Sequence, residues 1–241
     1  MMVSKFLDPK NDICFKRIFG TEKNKDILIH FINDVMGFEG GDVIEDVTFL
    51  SPVQDPDIAC KKQSIVDVLC KAVDGTQIII EMQVAKSPGF EKRAQYYAAK
   101  AYVSQLNKGQ EEDGLYHNLK SVIFIAITDY VMFEDNEDFL SKHIMLDNKT
   151  KKHNLDAFSF TFIELPKFKK ISIDQLSNIM EKWCYFFKNA ESTSEKDMAK
   201  IVGSDEVIEK AYEELNIFNW NEQQRLAYDQ ELKRVRDNKA V

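Results

Sequence analysis

Two carboxylates and an amide stand within apolar, strand-like segments between positions 64 and 84. Asp67 lies in SIVDVLCKA, and Glu81 and Gln83 follow three isoleucines in QIIIEMQV. Charged side chains seldom occur in apolar strands unless they face solvent, form ion pairs or bind a cation. A divalent metal ion would explain both carboxylates, and two solvent-facing side chains on one side of a sheet are the plainer alternative.

A hairpin is predicted to carry these three residues. Runs of β-branched residues over 63–72 and 77–84 flank Asp74-Gly75, a dipeptide typical of tight turns between strands. Because side chains alternate across a strand, Glu81 and Gln83 share one face of the sheet, and Met82 faces the other.

The length of the hairpin loop decides whether Asp67 joins that face. A two-residue loop of Asp74-Gly75 would set Asp67 opposite Met82, on the wrong side of the sheet. A three-residue loop that also includes Thr76 would set Asp67 opposite Gln83, and a β-bulge would make the same correction. We predict one of these two devices.

The remaining pattern predicts an α/β fold. Apolar spacing of three and four residues predicts two helices within 11–36 and one over 90–107. Apolar runs predict further strands, of which 121–128 is buried on both faces; these runs are 43–50, 121–128, 142–146 and 158–165. The expected fold is a mixed sheet flanked by helices over 1–170, with a C-terminal helical segment over 171–241.

Composition excludes several classes of protein. The chain has 241 residues, 44% of them hydrophobic and 30% charged, as expected for one substantial globular domain. No apolar run approaches the roughly 20 residues that span a membrane, so we expect no membrane insertion. The first residues lack a secretory or transit pattern, which favours the cytoplasm.

Zinc-binding and charge patterns are equally informative. The four cysteines form no CxxC pair and the four histidines no cluster, so a structural zinc site is not expected. A net charge of −8 argues against a protein that coats nucleic acid, because such binding depends on clustered Lys and Arg. It does not exclude a DNA enzyme, since acidic metal ligands themselves add negative charge.

Four stretches of the chain resemble the PD-(D/E)XK phosphodiesterase superfamily, and more closely its branch of recombination-promoting nucleases and related transposases. They are IVDVLCKA around Asp67, IIIEMQV around Glu81, DICFKRIFG over 12–20 and RAQYYAAKAYVSQL over 93–106. The resemblance spans the first two-thirds of the chain, and the C-terminal helices carry no motif that we match. It implies a restriction-endonuclease-like fold.

The resemblance also implies a metal-dependent DNA endonuclease. Asp67, Glu81 and the backbone carbonyl of Met82 would hold Mg²⁺, or Mn²⁺ or Ca²⁺ in its place, because hard cations prefer oxygen ligands. Asp12, on the first predicted helix, is a further candidate ligand, although its neighbours also suit a helix cap. Such an ion activates water for phosphodiester hydrolysis, here in recombination or mobile-element processing.

Gln83 departs from the superfamily pattern, in which many members have lysine. An amide can orient the attacking water, but it carries no charge to neutralise the developing negative charge on the phosphate. The Gln form is typical of the branch that the chain resembles. The alternative function is a weak or inactive nuclease-fold protein that binds DNA or assembles with its own copies, and RNA cleavage is a third hypothesis.

Basic residues on the third predicted helix are candidates for DNA contact. Lys92, Arg93 and Lys100 could bind backbone phosphates beside the acidic site, or they could form a solvated helix face. The expected partners are therefore DNA and, in addition, a second copy of the chain in a homodimer.

Overall fold

A computed structural model describes residues 5–54, 64–106, 115–203 and 205–239. The helices are α1 (Asp12–Phe19), α2 (Lys25–Met36), α3 (Phe90–Val103), α4 (Ile179–Asn189), α5 (Glu195–Val202), α6 (Glu206–Leu215) and α7 (Glu222–Lys239). The strands are β1 (Val47–Phe49), β2 (Val53–Gln54), β3 (Ser64–Ile65), β4 (Val68–Ala72), β5 (Gln77–Gln83), β6 (Val122–Thr128), β7 (Leu140–Ile144) and β8 (Phe158–Glu164). The predicted strand start at Gln63 and helix end at Asn107 lie outside the described residues.

The main sheet has six strands in the order β1-β4-β5-β6-β8-β7. β6 pairs in parallel with both β5 and β8, and the remaining pairs of neighbouring strands are antiparallel. β6 is buried along its whole length, as its apolar sequence predicts. The mixed sheet flanked by helices confirms the predicted restriction-endonuclease-like α/β fold.

The two faces of the sheet are covered differently. On one face α1 and α2 pack with the C-terminal helices around the aromatic side chains of Phe19, Phe31, Trp183 and Phe187. The C-terminal helices therefore share one hydrophobic core with the N-terminal helices, and the boundary at residue 170 stays a prediction. No helix in the described ranges is long and apolar enough to cross a membrane.

The other face of the sheet is covered by α3. Ala94, Ala98 and Ala101 are completely buried against the central strands, where they pack beside Phe124 of β6. Small side chains let a helix lie close to a sheet, so the polar residues that flank this alanine stripe are brought near the strand ends.

The hairpin loop consists of Val73, Asp74 and Gly75. The Ala72 N–H donates to the Thr76 carbonyl at 2.9 Å, and Gly75 adopts a φ of 95°. A loop of this kind needs a positive φ at its last residue, which glycine accepts and the β-branched Thr76 would resist. The predicted three-residue length is confirmed, but the predicted loop residues are wrong by one position.

The register of the hairpin follows from that loop. β4 and β5 pair Val68 with Ile80 and Leu69 with Ile79, so the same register carried one step further sets Asp67 opposite Glu81. The predicted pairing of Asp67 with Gln83 is wrong. The predicted shared side of Asp67 and Glu81 is confirmed, because both loop positions give the same alternation.

Two predicted strands are shorter than their sequence pattern because tertiary contacts interrupt them. The predicted strand over 63–72 breaks after Ile65, since Ser64 and Ile65 pair with β2 and Asp67 lies at a bend. The predicted strand over 43–50 is limited to Val47–Phe49, because the Asn33 side chain holds both backbone groups of Ile44 at 2.9 Å.

Candidate functional site

The carboxylates of Asp67 and Glu81 each accept a backbone N–H from the facing segment at the junction of β4 and β5. The Asp67 N–H donates to Glu81 Oε1 at 3.2 Å, and the Met82 N–H donates to Asp67 Oδ2 at 2.9 Å. The bend at Asp67 makes this crosswise pair of bonds attainable, because it frees the backbone from the ladder just before β4 begins. Glu81 is only 3% exposed.

Burial raises the pKa of both carboxyl groups. It raises the pKa of Asp67 to about 6, and burial together with the nearby charge of Asp67 raises the pKa of Glu81 to about 8. The positive charges of Lys16 and Arg93 oppose these shifts without cancelling them. Burial thus makes the charged form of both acids costly, a pattern that is frequent at functional sites.

Asp12 approaches the pair from α1. Asn11 caps this helix, with its side chain accepting from the Ile13 N–H at 2.9 Å, and Asp12 is the first helical residue. The Asp12 carboxylate lies 2.8 Å from Lys16 Nζ, which in turn lies 3.9 Å from Asp67 Oδ1. Lys16 thus stands between the two acids, and the metal-ligand role of Asp12 stays a prediction.

Gln83 is held between a carboxylate and a guanidinium. Its Nε2 donates to Glu81 Oε2 at 2.9 Å, and its Oε1 accepts from Arg93 Nη2 at 2.6 Å. Glu81 and Gln83 lie on the sheet face that α3 covers, so Arg93 reaches them from the first turn of that helix.

Similarity to a known family agrees with this geometry. The family described as PD-(D/E)XK nuclease family transposase matches residues 9–241. The chain belongs to this family. No curated protein and no solved structure matches it.

The PD-(D/E)XK motif maps onto this site residue by residue, with two departures. In the predicted assignment, Asp67 is the motif's first acid and Glu81, Met82 and Gln83 are the (D/E)XK residues; we call these four the PD-(D/E)XK site, and their catalytic roles stay a prediction. Val66 stands in place of the proline and Gln83 in place of the lysine. Family membership indicates a nuclease- or transposase-related function, with DNA as the implied substrate.

The oxygen atoms of the PD-(D/E)XK site suit a hard cation. The Gln83 carbonyl accepts from the Asp129 N–H at 2.9 Å on the β6 side. Because successive carbonyls of a strand point in opposite directions, the Met82 carbonyl points toward Asp67. Two carboxylates and this carbonyl are the kind of oxygen ligands that a hard divalent cation prefers.

Side chains alone do not complete a metal centre in the described part of the chain. No three or more His, Cys, Asp or Glu side chains there are arranged to hold an ion. The Met82 carbonyl and water would therefore have to supply the remaining ligands.

A cleft of about 310 Å³ opens over the PD-(D/E)XK site. Asp67 and Gln83 lie on one wall, and α7 contributes Glu231 and Arg234 to the other. These two residues could not be predicted, because α7 carries no recognisable motif. Tyr228 places this helix by packing beside Trp220 and by accepting a hydrogen bond from the Asp8 N–H at 3.2 Å.

The predicted DNA-contacting residues of α3 take different positions. Lys92 is exposed, and Lys100 Nζ lies 5.8 Å from the centre of the Tyr96 ring. Arg93 is half-buried. Its guanidinium lies 4.8 Å from the centre of the Phe90 ring and donates a hydrogen bond to Gln83. The structure therefore brings only Arg93 into contact with the predicted catalytic residues, and DNA binding by the three stays a prediction.

Proposed function

We propose that this protein is a metal-dependent DNA endonuclease that hydrolyses phosphodiester bonds in recombination or mobile-element processing. The observation that carries the proposal is the buried pair of Asp67 and Glu81, whose carboxylates are held together by backbone hydrogen bonds beside a cleft in a PD-(D/E)XK protein. Buried acids of this kind are costly to keep unless they bind a cation.

Each residue has a distinct role in this proposal. Asp67, Glu81 and the Met82 carbonyl hold Mg²⁺, which when bound polarises the phosphate and lowers the pKa of a coordinated water. Gln83 uses its remaining amide hydrogen to orient the attacking water. Asp12 is an auxiliary ligand, reached by displacing its bond to Lys16.

Positive charge for the DNA backbone comes from α3 in this proposal. Lys92, Arg93 and Lys100 lie on the helix beside the cleft, and Lys92 is the most open to solvent. The cytoplasm as the location and a homodimer as the assembly are parts of the proposal that need their own tests.

Plasmid cleavage tests the proposal. We expect the purified protein to nick supercoiled plasmid with Mg²⁺ or Mn²⁺ and to do so far more slowly with Ca²⁺. Asp67→Ala and Glu81→Ala should each lower the rate by about 1,000-fold or more, because loss of a metal ligand removes several kcal/mol of transition-state stabilisation.

Glu91→Gln is the matched control. Glu91 is an exposed acid on the first turn of α3, so this variant removes one negative charge from the helix that carries Arg93 without touching the buried pair. It should cleave at the wild-type rate. Cleavage that persists in folded Asp67→Ala and Glu81→Ala proteins would contradict the assigned ligands.

Gln83 supports a second candidate function, a nuclease-fold protein with little or no cleavage that binds DNA or assembles with its own copies. No charged group stands at the lysine position of the motif, so phosphate neutralisation is weaker there. Calorimetry that detects no binding of Mg²⁺, together with no cleavage of DNA or RNA, would favour this function over the endonuclease.

A further inference from the structure

The amide of Gln83 has one orientation available to it. Its oxygen accepts from Arg93 and its nitrogen donates to Glu81, at 2.6 and 2.9 Å. A flipped amide would point its NH₂ group at the guanidinium and its oxygen at the carboxylate, which would replace two favourable contacts with two repulsive ones. The amide nitrogen of Gln83 therefore offers the site its one remaining N–H donor.

The positive charge of Arg93 is not paired with the carboxylate of any described residue. Guanidinium stays protonated at any physiological pH. The Arg93 side chain packs on the rings of Phe90 and Tyr97, at 4.8 and 6.0 Å, and its Nε is buried without a hydrogen-bond partner there. Its position is fixed by packing, and its charge faces Gln83 and the two acids beyond it.

A hydrogen bond from a cation strengthens the donors at the other end of the same amide. When Arg93 binds Gln83 Oε1, electron density shifts toward that oxygen, and the N–H groups become better donors. An amide polarised in this way lies between a neutral glutamine and a lysine in its ability to stabilise negative charge.

We propose that Arg93 is a positioning residue that acts through Gln83, and that the Arg93–Gln83 pair together replaces the lysine of the (D/E)XK motif. Arg93 fixes the amide so that its free N–H faces the reacting phosphate or water, and it supplies the positive charge that glutamine lacks. This inference rests on the proposed endonuclease activity, and it assigns Arg93 a role other than simple DNA binding.

Moving the charge tests the inference. Arg93→Gln should lower kcat by about 100-fold, the usual effect of losing one preorganised charge or donor, with KM changed less than about threefold. Gln83→Lys placed in the same protein should restore at least about tenfold of the lost kcat, because the lysine brings its own charge to the same position. A purely structural role for Arg93 predicts no such rescue.

Two further variants separate charge, shape and DNA binding. Arg93→Lys keeps the charge but loses the planar fork, so its kcat should lie between those of the wild type and Arg93→Gln. Lys92→Gln removes the neighbouring exposed charge. It should raise KM and weaken the salt dependence of DNA binding, and its kcat should stay larger than that of Arg93→Gln.

Each outcome has a defined meaning. A wild-type protein that does not cleave overturns the proposed function and this inference with it. A cleaving wild type whose Arg93→Gln variant is folded and equally fast overturns the inference alone, and so does a double variant no faster than Arg93→Gln. Thermal unfolding checks that every variant folds. If Arg93→Gln does not fold, the kcat of Arg93→Lys and its rescue by Gln83→Lys test the inference instead.

Discussion

Glu81 and Glu164 are both buried near the carboxyl ends of parallel strands, on the same face of one sheet, and they meet different partners. Glu164 is 0% exposed and receives the backbone N–H groups of Met132 and Phe133 together with Lys167 Nζ at 2.6 Å. Glu81 receives one backbone N–H and one amide, and within the described residues it forms no ion pair.

Glu164 is thus an acid paired with a buried lysine, and Glu81 is an acid without an ion pair among the described residues. Lys167 is almost as buried as Glu164 and also donates to the Phe133 carbonyl at 2.6 Å, so it ties the loop after β6 to the end of β8. Glu81 has a comparable need for positive charge and meets it only at a distance. We therefore expect Glu164 to determine stability and Glu81 to determine activity.

The largest effect on stability is expected at Glu164. Glu164→Ala leaves the Lys167 ammonium and two backbone N–H groups buried without their acceptor, so the free energy of unfolding should fall by about 4 kcal/mol. Urea unfolding measures it, and Mg²⁺ should not restore the loss. The double variant Glu164→Gln with Lys167→Met, which removes both charges, should recover part of it. A loss under about 1 kcal/mol would contradict the structural role of Glu164.

A substitution at Asp67 is expected to have a smaller effect on stability, and it should raise the free energy of unfolding instead of lowering it. Because burial raises its pKa to about 6, the folded protein binds more protons than the unfolded chain, and stability falls as pH rises toward and through 6. Asp67→Asn keeps an oxygen for the Met82 N–H and removes the charge. It should raise the free energy of unfolding of the metal-free protein by about 2 to 3 kcal/mol at pH 7, because the pKa of the replaced carboxyl is raised from 3.8 to about 6.

The pH series supplies the control for that variant. The gap between Asp67→Asn and wild type should narrow steadily from pH 7 to pH 4, where Asp67 is protonated in the folded protein. Asp74→Asn makes the same chemical change in the exposed hairpin turn and should leave the pH dependence of stability as it is in the wild type. A gap that does not vary with pH would mean that the charge of Asp67 is already neutralised.

The smallest effect concerns the ion itself. At about ten times its dissociation constant Mg²⁺ should stabilise the wild type by about 1.4 kcal/mol, and by more at pH 8 than at pH 6, because the ligands must lose their protons. Thermal unfolding should detect a shift of roughly 4 °C. Asp67→Asn should lose this shift and Glu164→Gln should keep it, and the reverse result would exchange the roles of the two regions.

The alternation of strand side chains made much of the site predictable. It placed Glu81 and Gln83 on one face, and it required a loop that returns Asp67 to that face. Alternation could not choose between the two three-residue loops Asp74–Thr76 and Val73–Gly75, because both place Asp67 on the same face. That choice depends on which residue tolerates a positive φ. Alternation also could not foresee the bend at Asp67, which depends on the pairing of Ser64 and Ile65 with β2.

Contacts between elements distant in sequence were beyond prediction. Whether Arg93 points to Gln83 or to solvent depends on the rotation of α3 about its axis, which the buried stripe of Ala94, Ala98 and Ala101 sets. Its neighbour Lys92 has a similar sequence environment and faces solvent. The approach of α7 to the cleft likewise follows from packing alone.

The three-residue loop Val73–Gly75 carries a consequence for how such a gene can change. It lies about 17 Å along β4 from Asp67, far from any chemistry. Substitutions of Val73 or Asp74 alter little beyond the turn. Deletion or insertion of a single codon, in contrast, would shift the pairing by one residue and turn the Asp67 side chain to the opposite face of the sheet. Insertions in pairs would restore the face. Descent within this lineage should therefore tolerate changes of even length in this turn and eliminate changes of odd length, unless a bulge elsewhere compensates.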